Sequence, residues 1–89
     1  MLLVTYDLNS PGQKYQRLIQ AIKSVGQWCK CLESTWLLKT SLTAEQVASR
    51  LRQQLDNNDY LLVIAVNPDN IGGWLPQEAC NWINGRGNR

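Results

Sequence analysis

Apolar and polar side chains alternate at the start of the chain, where Leu2, Val4 and Tyr6 interleave with Leu3, Thr5 and Asp7. A two-residue period is the signature of a strand with two different faces, and it places Asp7 opposite Tyr6 at the strand's carboxyl end. The period then lengthens. Ser10-Pro11-Gly12-Gln13 reads as a helix start, with Ser10 as N-cap, Pro11 in the first helical position and Gln13 closing a capping box. Tyr15, Leu18, Ile19, Ile22 and Val25 recur at steps of three and four, which predicts one apolar helix face with Lys14, Arg17 and Lys23 outside it. Gly26 is the expected C-terminal stop.

Two β-prone runs follow, 28–32 and 35–40, separated by the polar pair Glu33-Ser34. They read as adjacent antiparallel strands or as one long bent strand. The second helix is strongly signalled: Thr43 caps, Gln46 completes its box, Leu42 staples onto Val47, and Val47, Ala48, Leu51 and Leu55 form the inward stripe. Arg50 and Arg52 should face solvent, and Asp56-Asn57-Asn58-Asp59 should turn the chain. The run 60–66 is almost continuously apolar, as expected of a central strand buried on both sides or one covered at a dimer contact. A loop through Asn67-Pro68-Asp69-Asn70 and Gly72-Gly73 leads to Trp74-Leu75 and a short helix from Pro76 that carries Ala79, Cys80, Trp82 and Ile83. The order strand, helix, strand, strand, helix, strand predicts a ferredoxin-like βαββαβ α+β sandwich with a short C-terminal appendage. Residues 1–84 would form one domain and 85–89 a flexible tail. Both main helices would cover one sheet face, so something else must cover the other.

Composition narrows the chemistry. A chain of 89 residues holds one small core and often gains from oligomerising, so a homodimer is expected. Nine basic against seven acidic residues give a net charge of +2, too balanced to identify a nucleic-acid binder by charge alone. The chain has no histidine, which removes the usual neutral-pH general base. The three cysteines are Cys29, Cys31 and Cys80, and in a strand Cys29 and Cys31 point to the same face. Their spacing lacks the two-residue spacer of zinc knuckles, so buried strand cysteines are the expectation. With no leader pattern before the first strand, a cytoplasmic location is expected, and no apolar run reaches the ~18 residues of a membrane span. The four tryptophans, Trp28, Trp36, Trp74 and Trp82, are expected to pack the core or cover the open sheet face rather than stack on nucleobases.

Asp7 meets Asn9-Ser10-Pro11-Gly12 where a strand gives way to a turn. A carboxylate there can serve metal and phosphate chemistry, and it can equally bind a nearby backbone N–H. Three signatures in order, namely Tyr6-Asp7-Leu8, Leu32-Glu33-Ser34-Thr35-Trp36-Leu37 and Asp59-Tyr60-Leu61-Leu62-Val63-Ile64, resemble the Cas Two-like family of small CRISPR-associated nucleases. The chain is closer still to the stand-alone SinR-like hypothetical proteins of that group, with VapD-like ribonuclease toxins as further relatives. The resemblance implies a homodimer whose open sheet faces pack together and a metal-dependent endonuclease acting on RNA or DNA. It assigns catalysis to Asp7 and Ser34 and implies that Asp7 of two subunits holds one Mg2+, with Mn2+ as the substitute. Nucleic acid would then be met by Asn9, Lys14, Arg17 and Lys39. A catalytically silent nucleic-acid-binding or protein-interaction dimer of the same fold is the alternative reading. In place of the strand that CRISPR-associated members exchange across their dimer, this chain carries Gly72-Gly73-Trp74-Leu75 and the tryptophan-bearing helix.

Overall fold

A computed structural model describes residues 1–9 and 12–85, without the side chains of Gln13 and Lys14. The capping roles expected of Ser10, Pro11 and Gln13, and most of the tail expected to be flexible, lie outside the described residues. The elements are β1 (Leu2–Asp7), α1 (Gly12–Lys23), β2 (Gln27–Leu32), β3 (Thr35–Lys39), α2 (Ala44–Arg52), β4 (Tyr60–Ala65) and α3 (Gln77–Ile83). The strands form one sheet in the order β2-β3-β1-β4, and every neighbouring pair is antiparallel. This is the ferredoxin-like α+β arrangement that the element order predicts. The 28–32 and 35–40 runs are separate strands joined by a tight turn, not one bent strand.

Alternation along β1 sorts the two faces. Leu2, Val4 and Tyr6 are buried with Trp36 and Leu38 of β3 against Leu18 and Ile22 of α1 and Val47 and Leu51 of α2. Burying side chains of this size stabilises the fold by about 1.5–3 kcal/mol each. Thr43 caps α2 as expected: its hydroxyl accepts from the Gln46 N–H at 3.1 Å and the Gln46 side chain accepts from the Thr43 N–H at 3.0 Å. Arg50 and Arg52 are exposed, and Arg52 donates to the Leu55 carbonyl at 2.9 Å, satisfying an acceptor just past the helix end.

The second face is covered in part. Cys29 and Cys31 of β2 and Leu37 of β3 lie beneath Ala79 and Trp82 of α3, with Leu3, Val66, Leu75 and Ile83 around them. The C-terminal helix therefore packs on its own sheet, and both strand cysteines are buried there as their spacing predicts. A bulge between Lys30 and Leu32 accompanies the pair. Burial, above all, pushes the Cys31 thiol up to about 12, and it raises Cys29 as well.

Two expectations need correction. The run 60–66 does not form a central strand: β4 is an edge strand, and Tyr60, Leu62 and Ile64 are 71%, 55% and 47% exposed. Only Leu61 and Val63 pack on the core, because the central place is taken by β1, which pairs on both sides. Gly26 does not end α1 in a left-handed conformation, since the positive-φ glycines among the described residues are Gly12 and Gly85. Its reason is proximity: a Cβ at Gly26 would overlap the Lys39 carbonyl oxygen, where β2 begins alongside β3.

Gly26→Ala should therefore lower stability by about 1–3 kcal/mol through overpacking against backbone. Gly72→Ala, which meets nothing within 4 Å, is the control and should leave the chemical-denaturation midpoint nearly unchanged. The buried thiol sets a second expectation. A folded-state value of about 12 against 9.0 for a free thiol means that the unfolded chain loses this proton first as pH rises. The thiol's contribution is complete below pH 9 and is lost as pH climbs toward 12, so stability falls over that window. Denaturation midpoints compared at neutral and alkaline pH should fall less steeply for Cys31→Ala than for the parent chain.

Candidate functional site

The carboxyl end of β1 is held from beneath by a buried acid. Asp59 is 8% exposed, and its carboxylate accepts from the Asn9 N–H at 2.9 Å and from the Asp56 N–H at 2.8 Å. The turn before β4 is thereby tied to the chain leaving β1, so Asp7 emerges on a fixed ladder with Tyr60 opposite it. Asp59 has the structural role that a carboxylate near a turn commonly takes; Asp7 does not. The Asp7 side chain is exposed, and no hydrogen bond or ion pair engages its carboxylate among the described residues.

Asp7 separates two shallow hollows. One, of about 180 Å³, is lined by Tyr6, Asp7, Leu8, Tyr15 and Ser34. The other, of about 260 Å³, is lined by Thr5, Tyr6, Asp7, Tyr60, Leu61 and Leu62. Ser34 reaches the first because the β2–β3 turn passes the end of β1, where the Tyr6 N–H donates to the Ser34 carbonyl at 3.3 Å. The structure thus brings Asp7 and Ser34 to one hollow. Close by, the Thr5 and Thr35 hydroxyls meet at 3.2 Å across β1 and β3.

The other expected residues do not converge on this point. Asn9 is adjacent in the chain and is anchored by its backbone. Arg17 lies on the helix layer beside Gln20, Ser24 and Gln54. Lys39 is at the opposite end of the sheet: β3 runs antiparallel to β1, and Leu38 pairs with Leu2, roughly 17 Å of strand from Asp7. There Lys39 sits 4.5 Å from the Trp82 ring centroid and donates to the Trp82 carbonyl at 3.4 Å. The expected contact through the Lys14 side chain lies outside the described residues.

Sequence reading missed two groups. Tyr15 reads as one more member of the α1 apolar face, yet its ring is half-buried at the wall of the Asp7 hollow, 6.3 Å from the Tyr6 ring in an edge-to-face contact. Glu33, next to Ser34 in the β2–β3 turn, is close enough to contribute to an upward shift of the Tyr6 phenol. Burial dominates that shift, while the Trp36 indole N–H donating at 3.2 Å opposes it. Tyr6 is therefore a neutral phenol at physiological pH and supplies polarity without charge. The tryptophans divide unevenly: Trp36 and Trp82 are buried, whereas Trp28 is 40% and Trp74 is 99% exposed. Of the four, Trp82 covers the open sheet face; Trp36 belongs to the helix-side core instead.

Among the described residues, no three His, Cys, Asp or Glu side chains are grouped so as to hold a metal ion. A magnesium ion needs fewer protein ligands, since it commonly binds one or two carboxylates and keeps its remaining positions for water and substrate phosphate. Asp7, exposed and without a hydrogen bond or ion pair among the described residues, is the carboxylate at this site that could offer such a ligand. No helix among the described residues is long and apolar enough to cross a membrane.

No protein-family model matches the chain, and no curated protein matches it. Among solved structures it is similar to the crystal structure of a hypothetical protein, TT1823, from Thermus thermophilus, with 23% identity and a TM-score of 0.61, covering 84% of this chain and 92% of that one. That likeness shows the fold, the ferredoxin-like α+β sheet described above.

Proposed function

We propose that the chain acts as a homodimeric, metal-dependent phosphodiesterase on nucleic acid, in a cytoplasmic setting, with Asp7 as the ion-holding carboxylate. The observation that carries this reading is the pairing of an unengaged carboxylate with an uncovered apolar strip on the same end of one sheet face. Asp7 and Tyr60 are opposite one another on β1 and β4, and Leu62 and Ile64 continue the strip along the edge strand. An apolar strip beside a polar site marks an interaction surface, and a second copy would bring its own Asp7 with it. The α3 helix covers β2 and β3 on this face and reaches Leu3 of β1, leaving the β4 edge open, which limits where a second sheet can pack.

In this reading Asp7 from each subunit would hold the divalent cation, Mg2+ or Mn2+, through carboxylate oxygen. The chemistry such an ion would supply there is a water of lowered pKa and an offset to phosphate charge. Ser34, in the same hollow, donates its hydroxyl hydrogen to a phosphate oxygen and orients the ester. Tyr6 and Tyr15 wall the hollow and exclude water from one side of it. The chemistry needs no histidine, in keeping with a chain that contains none.

Purified protein incubated with labelled RNA and DNA should cut in Mg2+ or Mn2+ and stop cutting in EDTA, and Asp7→Ala should lose cleavage by at least a hundredfold. Because the Asp7 side chain is exposed and makes no hydrogen bond or ion pair among the described residues, the variant should keep its stability to within about 0.5 kcal/mol. Undiminished cutting by Asp7→Ala, or cutting indifferent to EDTA, would overturn the assignment. Leu62→Glu combined with Ile64→Lys should shift sedimentation from dimer to monomer and abolish cutting. An unchanged sedimentation coefficient would place the contact elsewhere.

A further inference from the structure

A row of aromatic rings and lysines leads away from the Asp7 hollow along the seam between α1 and β2. Tyr15, in the wall of the hollow, accepts a hydrogen bond from Lys30 Nζ at 3.3 Å. Lys30 Nζ is also 6.0 Å from the ring centroids of both Tyr15 and Trp36. Trp36 is buried and forms the floor, and Trp28 leans on it with centroids 5.4 Å apart and planes at 56°. The row ends at Lys23, whose Nζ lies 4.6 Å over the Trp28 ring. Neither Lys23 nor Lys30 has a carboxylate partner among the described residues. Asp7 and Glu33 stand at its start, and Glu78 of α3 shares a hollow with Trp28 and Lys30 at the outer edge of β2.

We infer that this row, Tyr15, Lys30, Trp28 and Lys23, is a binding track for an unpaired stretch of nucleic acid that enters or leaves the Asp7 hollow. The inference rests on the proposed phosphodiesterase reading only for what happens at the hollow; binding along the track does not require cleavage. Successive single-stranded nucleotides present a flat π-face and a negative phosphate in turn, and a groove that alternates aromatic rings with cations matches that alternation. Trp28 is exposed enough to receive a base yet rigid, because Trp36 backs it. Lys23 now covers the Trp28 ring; a base can take that ring face while the ammonium moves out to a phosphate, so the cation–π contact is exchanged for an ion pair and stacking. Lys30 is restrained by the Tyr15 hydroxyl and needs no such movement. A duplex buries its base faces and offers this row only phosphates, so unpaired strands should be preferred.

The test is a binding titration in EDTA, where metal-dependent cleavage is suppressed, using fluorescent oligothymidylate, oligouridylate and a duplex of equal length. The intact protein should bind the single strands more tightly than the duplex, with quenching of tryptophan emission. Lys23→Ala with Lys30→Ala should weaken single-strand binding by about tenfold at low salt and reduce the magnitude of the salt slope by roughly 1.4, or about 0.7 for each lost phosphate contact. Trp28→Leu should remove most of the quenching, and Arg50→Glu, on the exposed face of α2, should change nothing. Equal affinity for thymidylate and uridylate supports a track indifferent to the 2′-hydroxyl and the base methyl, and unequal affinity supports a track that senses one of them. No binding at low salt, a preference for duplex, or unchanged affinity and salt slope in the double-lysine variant would each overturn it. Asp7→Asn, which removes a negative charge from the hollow, should bind at least as tightly as the parent in EDTA; lost cleavage with retained binding separates the two assignments, and absent cleavage by the parent with intact track binding would sink the phosphodiesterase reading alone.

Discussion

The double pairing of β1 is the constraint on which the rest of the molecule depends. β1 is the strand with antiparallel neighbours on both sides that lies next to the edge strand β4, and its two-residue alternation commits Leu2, Val4 and Tyr6 to the helix side. A slip by one residue would turn those three side chains out of the core and carry Asp7 to the other face. The Asp59 carboxylate reinforces this register from outside the sheet, because it binds backbone N–H groups on both the segment leaving β1 and the turn entering β4. The candidate site is therefore positioned by packing and backbone pairing, while the Asp7 side chain makes no hydrogen bond or ion pair among the described residues.

The sheet's second face is where structure and function meet. A four-stranded sheet covered by two helices on one side leaves an apolar surface on the other, and α3 covers the part over β2 and β3 with Ala79 and Trp82. What stays open is the strip over β4 that adjoins Asp7. Exposing three large apolar side chains in a row costs solubility, and a chain this small has little stability to spare. In the proposed dimer a partner surface there would offset that cost and set two weak carboxylate sites side by side.

The aromatic side chains show how one residue type is divided among tasks by its neighbours. Trp36 is core, locked by its indole N–H to Tyr6, and its burial gives Trp28 a rigid support. Trp82 is the anchor of α3, with Lys39 laid across its ring. Lys39 is thereby engaged in holding the C-terminal helix at the end of the sheet away from Asp7, and among the described side chains Lys30 of β2 reaches the wall of the candidate site through Tyr15, with Lys23 of the last turn of α1 farther along the row.

The sequence by itself determined the elements and their order. Period-two alternation in β1, the Thr43–Gln46 capping box and the shared face of Cys29 and Cys31 are local patterns, and local backbone geometry is enough to read them. The same patterns located Asp7 at the end of the first strand and Ser34 in the turn between the second and third strands, so the nearness of these two needed only the topology to become visible. Sidedness across the whole sheet was beyond local pattern. The apolar run of β4 looks alike whether a strand is central or at an edge, and only the pairing of β1 with both β3 and β4 decided that one of its faces is bare. Gly26 looked like a helix stop because its close approach to Lys39 depends on a strand thirteen residues away. The Tyr15–Lys30–Trp28–Lys23 row had no sequence signature at all, since its members come from a helix face and a strand that meet only when α1 lies down on the sheet. Tertiary packing alone decided which charges converge, because it is the three-dimensional fold that sets distances between residues remote along the chain.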